Sequence, residues 1–230
     1  TATELAELAA GLVEGEVDLI KDDQSLVDQR WSPFEERVAR CAEAIGDWSR
    51  RRGRPCLYFA HVSGASETMW KRAARAKALG ATGLLIAPGL TGFDAMRSLS
   101  SDESLNLPIL SHPAFLGASV GSERSGVAPG VLYGLLPRLA GADLTIYPAF
   151  GAGYPMSQQD CLSIAQRCRK SWGTLHPTMP AVGGRIGPER LSELRTVLGS
   201  DVAFVVGSRI QKEPEGIPAA VRAFHRAMRD

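Results

Sequence analysis

The chain has 230 residues, 44% of them hydrophobic, and its 26 Lys and Arg against 25 Asp and Glu leave a net charge of +1. So even a balance offers no electrostatic footprint for nucleic acid or an anionic membrane, and no apolar run approaches the roughly 20 residues that cross a bilayer. The opening TATELAELAAGLVEGE lacks a basic n-region and carries acids through its apolar stretch, which argues against a signal peptide and for a cytoplasmic location.

In chain order, Thr3 to Val13 reads as a helix and Val17 to Lys21 as a strand. Glu35 to Arg52 places Val38, Cys41, Ala42, Ile45 and Trp48 on one helical face. Ser32 is the expected cap of that helix, with Pro33 in its first turn and Glu35 completing a capping box. Further strands are expected at Cys56 to His61, Gly83 to Ala87, Pro108 to Ser111, Ala142 to Tyr147, Thr178 to Ala181 and Ala203 to Val206. Ser157 and Asp160 form a second capping signature, and Gly187-Pro188-Glu189 opens another helix. Cys41, Cys56, Cys161 and Cys168 have no CxxC spacing and are read as buried thiols.

Alternation of short apolar strands with helices predicts a parallel sheet covered by helices, over residues 1–230 as one α/β-barrel domain. Seven strands are one short of the (β/α)8 TIM barrel, and the missing first strand is expected to precede residue 1. The loop from Gly117 to Gly130 is long enough to move over a site.

Working residues of such barrels sit at the C-terminal ends of strands. Val17 to Lys21 ends in Lys21-Asp22-Asp23-Gln24, and strand alternation puts Lys21 and Asp23 on one side and Asp22 on the other. A lysine facing a barrel mouth has two uses: Schiff-base nucleophile, or, after reacting with carbon dioxide, a carbamate that ligates metal. The two neighbouring carboxylates are expected to raise its pKa and disfavour the first. His112, ending the Pro108 to Ser111 strand, is a second candidate, while His176 and His225 are read as structural and surface residues.

The run VDLIKDDQ followed by RWSPFEERVARCAEAI resembles the second barrel strand and following helix of the RuBisCO large-chain family. The likeness continues in order through YFAHVSG with Lys71-Arg72-Ala73, Gly83 to Pro88 with Leu90-Thr91-Gly92-Phe93, Leu110-Ser111-His112-Pro113-Ala114 and Gly130 to Asp143. It implies that Lys21 is carbamylated and, with Asp23, holds magnesium, and that His112 is the active-site histidine. The third family ligand is glutamate, where this chain has Gln24, so the ligand set loses one charge. An arginine that helps hold a substrate phosphate is replaced by Pro113, and the segment Tyr147 to Tyr154 lacks the lysine that carboxylating members use. The resemblance therefore points to the non-carboxylating RuBisCO-like proteins, which enolise, isomerise or decarboxylate phosphorylated ketones.

Gly183-Gly184 and Gly207-Ser208 follow the last two strands, where barrel loops recurrently hold phosphate, and their amides are the expected cradle, with Arg185 and Arg209 nearby. The implied reaction passes through an enediolate, on a phosphorylated keto-sugar or keto-acid. By the same resemblance the protein is a homodimer, with an N-terminal domain and a lysine-bearing first strand that lie outside this sequence. Two other readings stay open: an aldolase-like barrel with Lys21 as Schiff base, and a catalytically degenerate sugar-phosphate-binding protein.

Overall fold

The computed structural model describes residues 1–121, 126–211 and 215–229. All seven expected strands form: β1 (Leu19–Lys21), β2 (Leu57–His61), β3 (Gly83–Ile86), β4 (Ile109–Ser111), β5 (Leu144–Pro148), β6 (Met179–Gly183) and β7 (Ala203–Val205). They pair in sequence order, every neighbour parallel, from β1 to β7. The described strands include no pairing of β7 back to β1. β1 and β7 are accordingly half-buried along their lengths, whereas β3 and β4 are buried throughout.

Alternation along the strands makes two cores. Phe59, Leu85, Leu110, Ile146 and Ala181 meet inside the curl of the sheet, with Leu19, Leu144, Ala203 and Val205 against them. The intervening residues, such as Tyr58, Ala60, Leu84 and Ile86, face the helices α1 (Ala2–Glu14), α2 (Phe34–Arg52) and α3 (Ser66–Ala78). Beyond α4 (Pro88–Thr91), α5 (Phe93–Ser100) and α6 (Leu136–Leu139), the second outer cluster joins β5 and β6 to α7 (Gln158–Arg169), α8 (Leu191–Leu198) and, past the short α9 (Gly207–Ile210), α10 (Ile217–Arg229). All four cysteines are free and buried.

Helix starts follow local chemistry, with one correction. Thr1 with Glu4, and Ser157 with Asp160, close complete capping boxes. Ser32 does not cap α2: it is fully buried and its Oγ has no hydrogen-bond partner, whereas Asp28 Oδ1 accepts from the Phe34 amide at 2.9 Å. The carboxylate arrives from six residues upstream because the Asp22–Trp31 segment folds back over the helix start. Buried Arg138 gathers four carbonyls, those of Arg167, Lys170, Leu175 and His176, and so fixes the turn into β6. The ring of His176 stays exposed, while His225 is half-buried and its Nε2 lies 3.0 Å from the Glu16 carbonyl, tying α10 to the approach to β1. His225 is thus a packing residue, since α10 turns it inward against that turn.

Within the Gly117 to Gly130 loop, Gly117–Ser119 forms a short 3-10 turn and the Val127 amide returns to the Ser119 carbonyl at 2.8 Å. Residues 122–125 lie outside the described residues.

Candidate active site

Two residues beyond the inner core, each strand presents one side chain to the mouth of the curl. In chain order these are Lys21, His61, Ala87, His112, Pro148, Gly183 and Gly207. Sequence reasoning placed four of them, Lys21, His112, Gly183 and Gly207, and missed His61. Counting by twos from Phe59 would have found it.

Lys21 and Asp23 face this mouth, and Asp22 points the other way. The Asp22 carboxylate accepts from Arg37 Nε at 3.1 Å, the Tyr58 hydroxyl at 2.9 Å and the His61 amide at 3.0 Å. Burial pushes its carboxyl up, opposed by Arg37 and those hydrogen bonds. Arg37 is fully buried and also donates to the carbonyls of Leu26, Val27 and Ser32, so Asp22 anchors the loop after β1 rather than serving chemistry.

Lys21 Nζ donates to the Asp22 carbonyl at 3.0 Å. Burial lowers its pKa and outweighs the opposing pull of Asp23 and Asp22, the reverse of the order expected from sequence. Asp23 Oδ1 takes both the Ser25 amide at 2.9 Å and the Ser25 hydroxyl at 2.6 Å; its net pKa is lowered, those bonds together with Lys21 and His112 overcoming the effect of burial. Its Oδ2 accepts no hydrogen bond among the described residues. Gln24 is exposed.

His112 Nδ1 accepts from the Ala114 amide at 3.1 Å, which leaves the ring proton on Nε2. Burial, Lys21 and His61 hold its pKa down at about 3, so the ring is neutral at neutral pH. His61 is fully buried, with Nε2 2.8 Å from Ser63 Oγ, and burial, Lys21 and Arg37 bring it to about 4.

The opposite side of the mouth is built from backbone. Gly183 pairs in register with Val205, so the turns after β6 and β7 lie side by side. Gly184 has φ +102°, and a Cβ there would meet the Tyr154 ring at 3.1 Å and Ala152 at 3.3 Å. Gly207 and Ser208, both exposed, open a single turn, α9 (Gly207–Ile210), in which the Arg209 amide is bound to the Val206 carbonyl at 3.0 Å. Arg185 is exposed beside Gly153, and Arg190 donates to the Phe150 carbonyl at 2.9 Å, tying down the segment after β5.

No group of three His, Cys, Asp or Glu side chains among the described residues is arranged to hold a metal ion. With a carbamate on Lys21, the Oδ2 of Asp23 and the Gln24 amide, the donor set would be two anions and one neutral oxygen, the hard oxygen ligands that magnesium takes. Among the described residues no helix is long and apolar enough to cross a membrane.

The family model for the ribulose bisphosphate carboxylase large chain, catalytic domain, matches residues 1–229. A ribulose bisphosphate carboxylase-like protein of Archaeoglobus fulgidus is 36% identical over 223 residues, which cover 97% of this chain and 51% of that protein. The 2,3-diketo-5-methylthiopentyl-1-phosphate enolase of Geobacillus thermodenitrificans is 33% identical over 214 residues, 93% of this chain and 52% of the enzyme. The crystal structure of a Rubisco-like protein from Rhodopseudomonas palustris superposes with a TM-score of 0.88 at 31% identity, over 100% of this chain and 60% of that one. The chain spans about half the length of the curated relatives it matches.

Proposed function

The chain belongs to the ribulose bisphosphate carboxylase large-chain family, and from that premise we propose that it is the barrel part of a non-carboxylating enzyme that enolises a phosphorylated ketone. The observation that carries this reading is the mouth itself, with Lys21, Asp23 and His112 gathered on one side and two glycine turns on the other. A phosphate held by the amides of Gly183, Gly184, Gly207 and Ser208 leaves the rest of the substrate reaching across toward the charged side. A diketone phosphate of the kind named for the Geobacillus enolase fits that span of chemistry.

His112 acts on the carbonyl as a donor. Its Nδ1 is occupied by the Ala114 amide, so Nε2–H is the group it can offer, and a ring whose pKa is about 3 stays neutral while doing so. That makes His112 a polarising group rather than a proton acceptor. Burial lowers the Lys21 pKa, which favours the amine form that reacts with carbon dioxide, and Asp23 lies beside it. Lys21 as carbamate, Asp23 and Gln24 would hold magnesium, which when bound supplies positive charge to the ketone oxygen. The segment from Tyr147 to Tyr154 carries no lysine, which agrees with an activity other than carbon dioxide fixation. A homodimer in the cytoplasm completes the proposal.

The same lowering of the Lys21 pKa supports a second reading, a Schiff base with a carbonyl substrate. Carbon-13 NMR of the intact protein with labelled bicarbonate separates the two, with and without magnesium and with Lys21→Ala as blank. A Lys21-dependent carbamate signal strengthened by magnesium, together with exchange of the ketone's α-proton in D2O, supports enolisation. Loss of that signal with borohydride trapping of the substrate on Lys21 overturns it.

A further inference from the structure

The turn after β6 runs through Gly183, Gly184 and Arg185, and it holds a non-glycine residue in the left-handed region. Gly184 has φ +102° and Arg185 φ +50°. Arginine is less at ease there than glycine or asparagine, because its Cβ crowds the backbone. The surroundings enforce the turn: Val182 and Ile186, on either flank of it, are both fully buried in the outer core, so the chain leaves that core and re-enters it within these residues. Glycine or asparagine would satisfy such a turn with less strain, and what arginine adds is its side chain.

That side chain is exposed and makes no hydrogen bond, ion pair or ring contact among the described residues. Arg190, in the same connection to α8, shows the contrast: it donates to the Phe150 carbonyl at 2.9 Å, pairs with Glu193 at 3.0 Å and lies 5.2 Å over the Phe150 ring. The Arg185 guanidinium lies beside Gly153, with Nη1 3.6 Å from where a Cβ would stand, and the two neighbours of Gly153, Ala152 and Tyr154, close on Gly184. The free charge is therefore carried by the same turn whose amides form the glycine side of the mouth, one Cα step of about 3.8 Å from Gly184. A phosphate monoester carries about −1.5 to −2 at neutral pH, whereas amides bring only partial charges. Across the mouth Asp23 is anionic, His112 is neutral and Lys21 as a carbamate is anionic, so under the enolisation reading that side brings no side-chain cation to the phosphate. We propose that Arg185 is the cation of the phosphate subsite: its guanidinium closes over a phosphate monoester seated on the amides of Gly183 and Gly184, and it makes the site select a phosphorylated ketone over its unphosphorylated counterpart. The proposal rests on the enolisation reading.

Titration of the intact protein with inorganic phosphate, followed by phosphorus-31 NMR, tests the subsite without turnover. Arg185→Asn removes the cation and suits the left-handed backbone, so its unfolding midpoint in urea is expected at or above the parent's while its dissociation constant for phosphate rises about 20-fold. Arg185→Lys keeps the charge without the two-pronged fork and is expected to lose about 5-fold. With 2,3-diketo-5-methylthiopentyl-1-phosphate as substrate the same ranking should appear in KM with kcat little changed, and with the same diketone lacking its phosphate the parent and both variants should behave alike. Phosphate affinity that is equal in the parent and Arg185→Asn, or absent from both, overturns the proposal. So does an Arg185→Asn midpoint well below the parent's, which assigns the side chain to packing on Gly153. Exchange of the ketone's α-proton alongside phosphate binding that ignores Arg185 fails this inference and leaves the enolisation reading; no exchange by a parent that binds phosphate through Arg185 fails that reading and leaves the anion subsite standing.

Discussion

The two sides of the barrel mouth are made in different ways. On β1, β2 and β4 the strands end in long polar side chains, Lys21, His61 and His112, braced by a buried network that includes Asp22, Arg37 and Ser63. From β5 to β7 they end in Pro148, Gly183 and Gly207, which present backbone and little else. The difference teaches where each kind of specificity resides. Under the proposed function, side chains with shifted pKa values would meet the reacting oxygen, and stripped backbone would let amides approach the phosphate closely.

Substitutions on the two sides should therefore fail in different observables. The largest effect is expected from Asp22→Asn, which leaves Arg37 as an uncompensated buried charge and costs about 3–5 kcal/mol in urea unfolding. An unfolding midpoint close to the parent's would show that the network does not brace this side. Next, Lys21→Ala should abolish the magnesium-strengthened carbamate signal and reduce α-proton exchange by about 1,000-fold, with stability nearly unchanged. The pH dependence of unfolding comes third. His61 and His112 titrate at about 4 and about 3 in the fold against 6.5 in an open chain, so below 6.5 the unfolded chain takes up protons that the folded one refuses. Stability should fall as the pH drops from 6.5 toward 4, by about 2 kcal/mol per histidine at pH 5, and His61→Asn should flatten that slope.

The glycine side gives the smaller effects and the sharper contrast. Gly184→Ala meets both a φ of +102° and the Tyr154 ring, so it should cost about 1–2 kcal/mol and raise KM for a phosphorylated substrate while leaving kcat alone. A Cβ on Gly207 has nothing within 4 Å, and Gly207→Ala should change stability by less than about 0.5 kcal/mol. If Gly207→Ala nonetheless weakens competition by inorganic phosphate, the amides of that turn are in contact with the anion. Unchanged competition would move the phosphate to the Gly184 turn.

Much of this was legible in the chain. Short apolar runs bounded by turn residues marked every strand, and alternation along the first separated Asp22 from Lys21 and Asp23 before any contact was known. Local chemistry fixed the Ser157 cap, because the carboxylate that closes it lies three residues away. What was not legible depends on chain segments distant in sequence. Asp28 supplants Ser32 as the cap of α2 only because a loop folds back, and the Lys21 pKa falls only because the fold buries the side chain, an effect that its charged neighbours in sequence do not reveal. His61 is the exception. Its position was readable, but its neighbours in sequence carry no charge that would single it out.

Asp22 and Asp23 are adjacent in the chain and unrelated in the fold. The residue that the strand end needs for folding is turned away from the mouth, whereas Asp23, which faces it, and the exposed Gln24 hold no part of the core. Such a division makes the site evolvable. Chemistry at this mouth can be rewritten one position at a time, as Gln24 in place of the family's glutamate illustrates, with no change required in the frame beneath it.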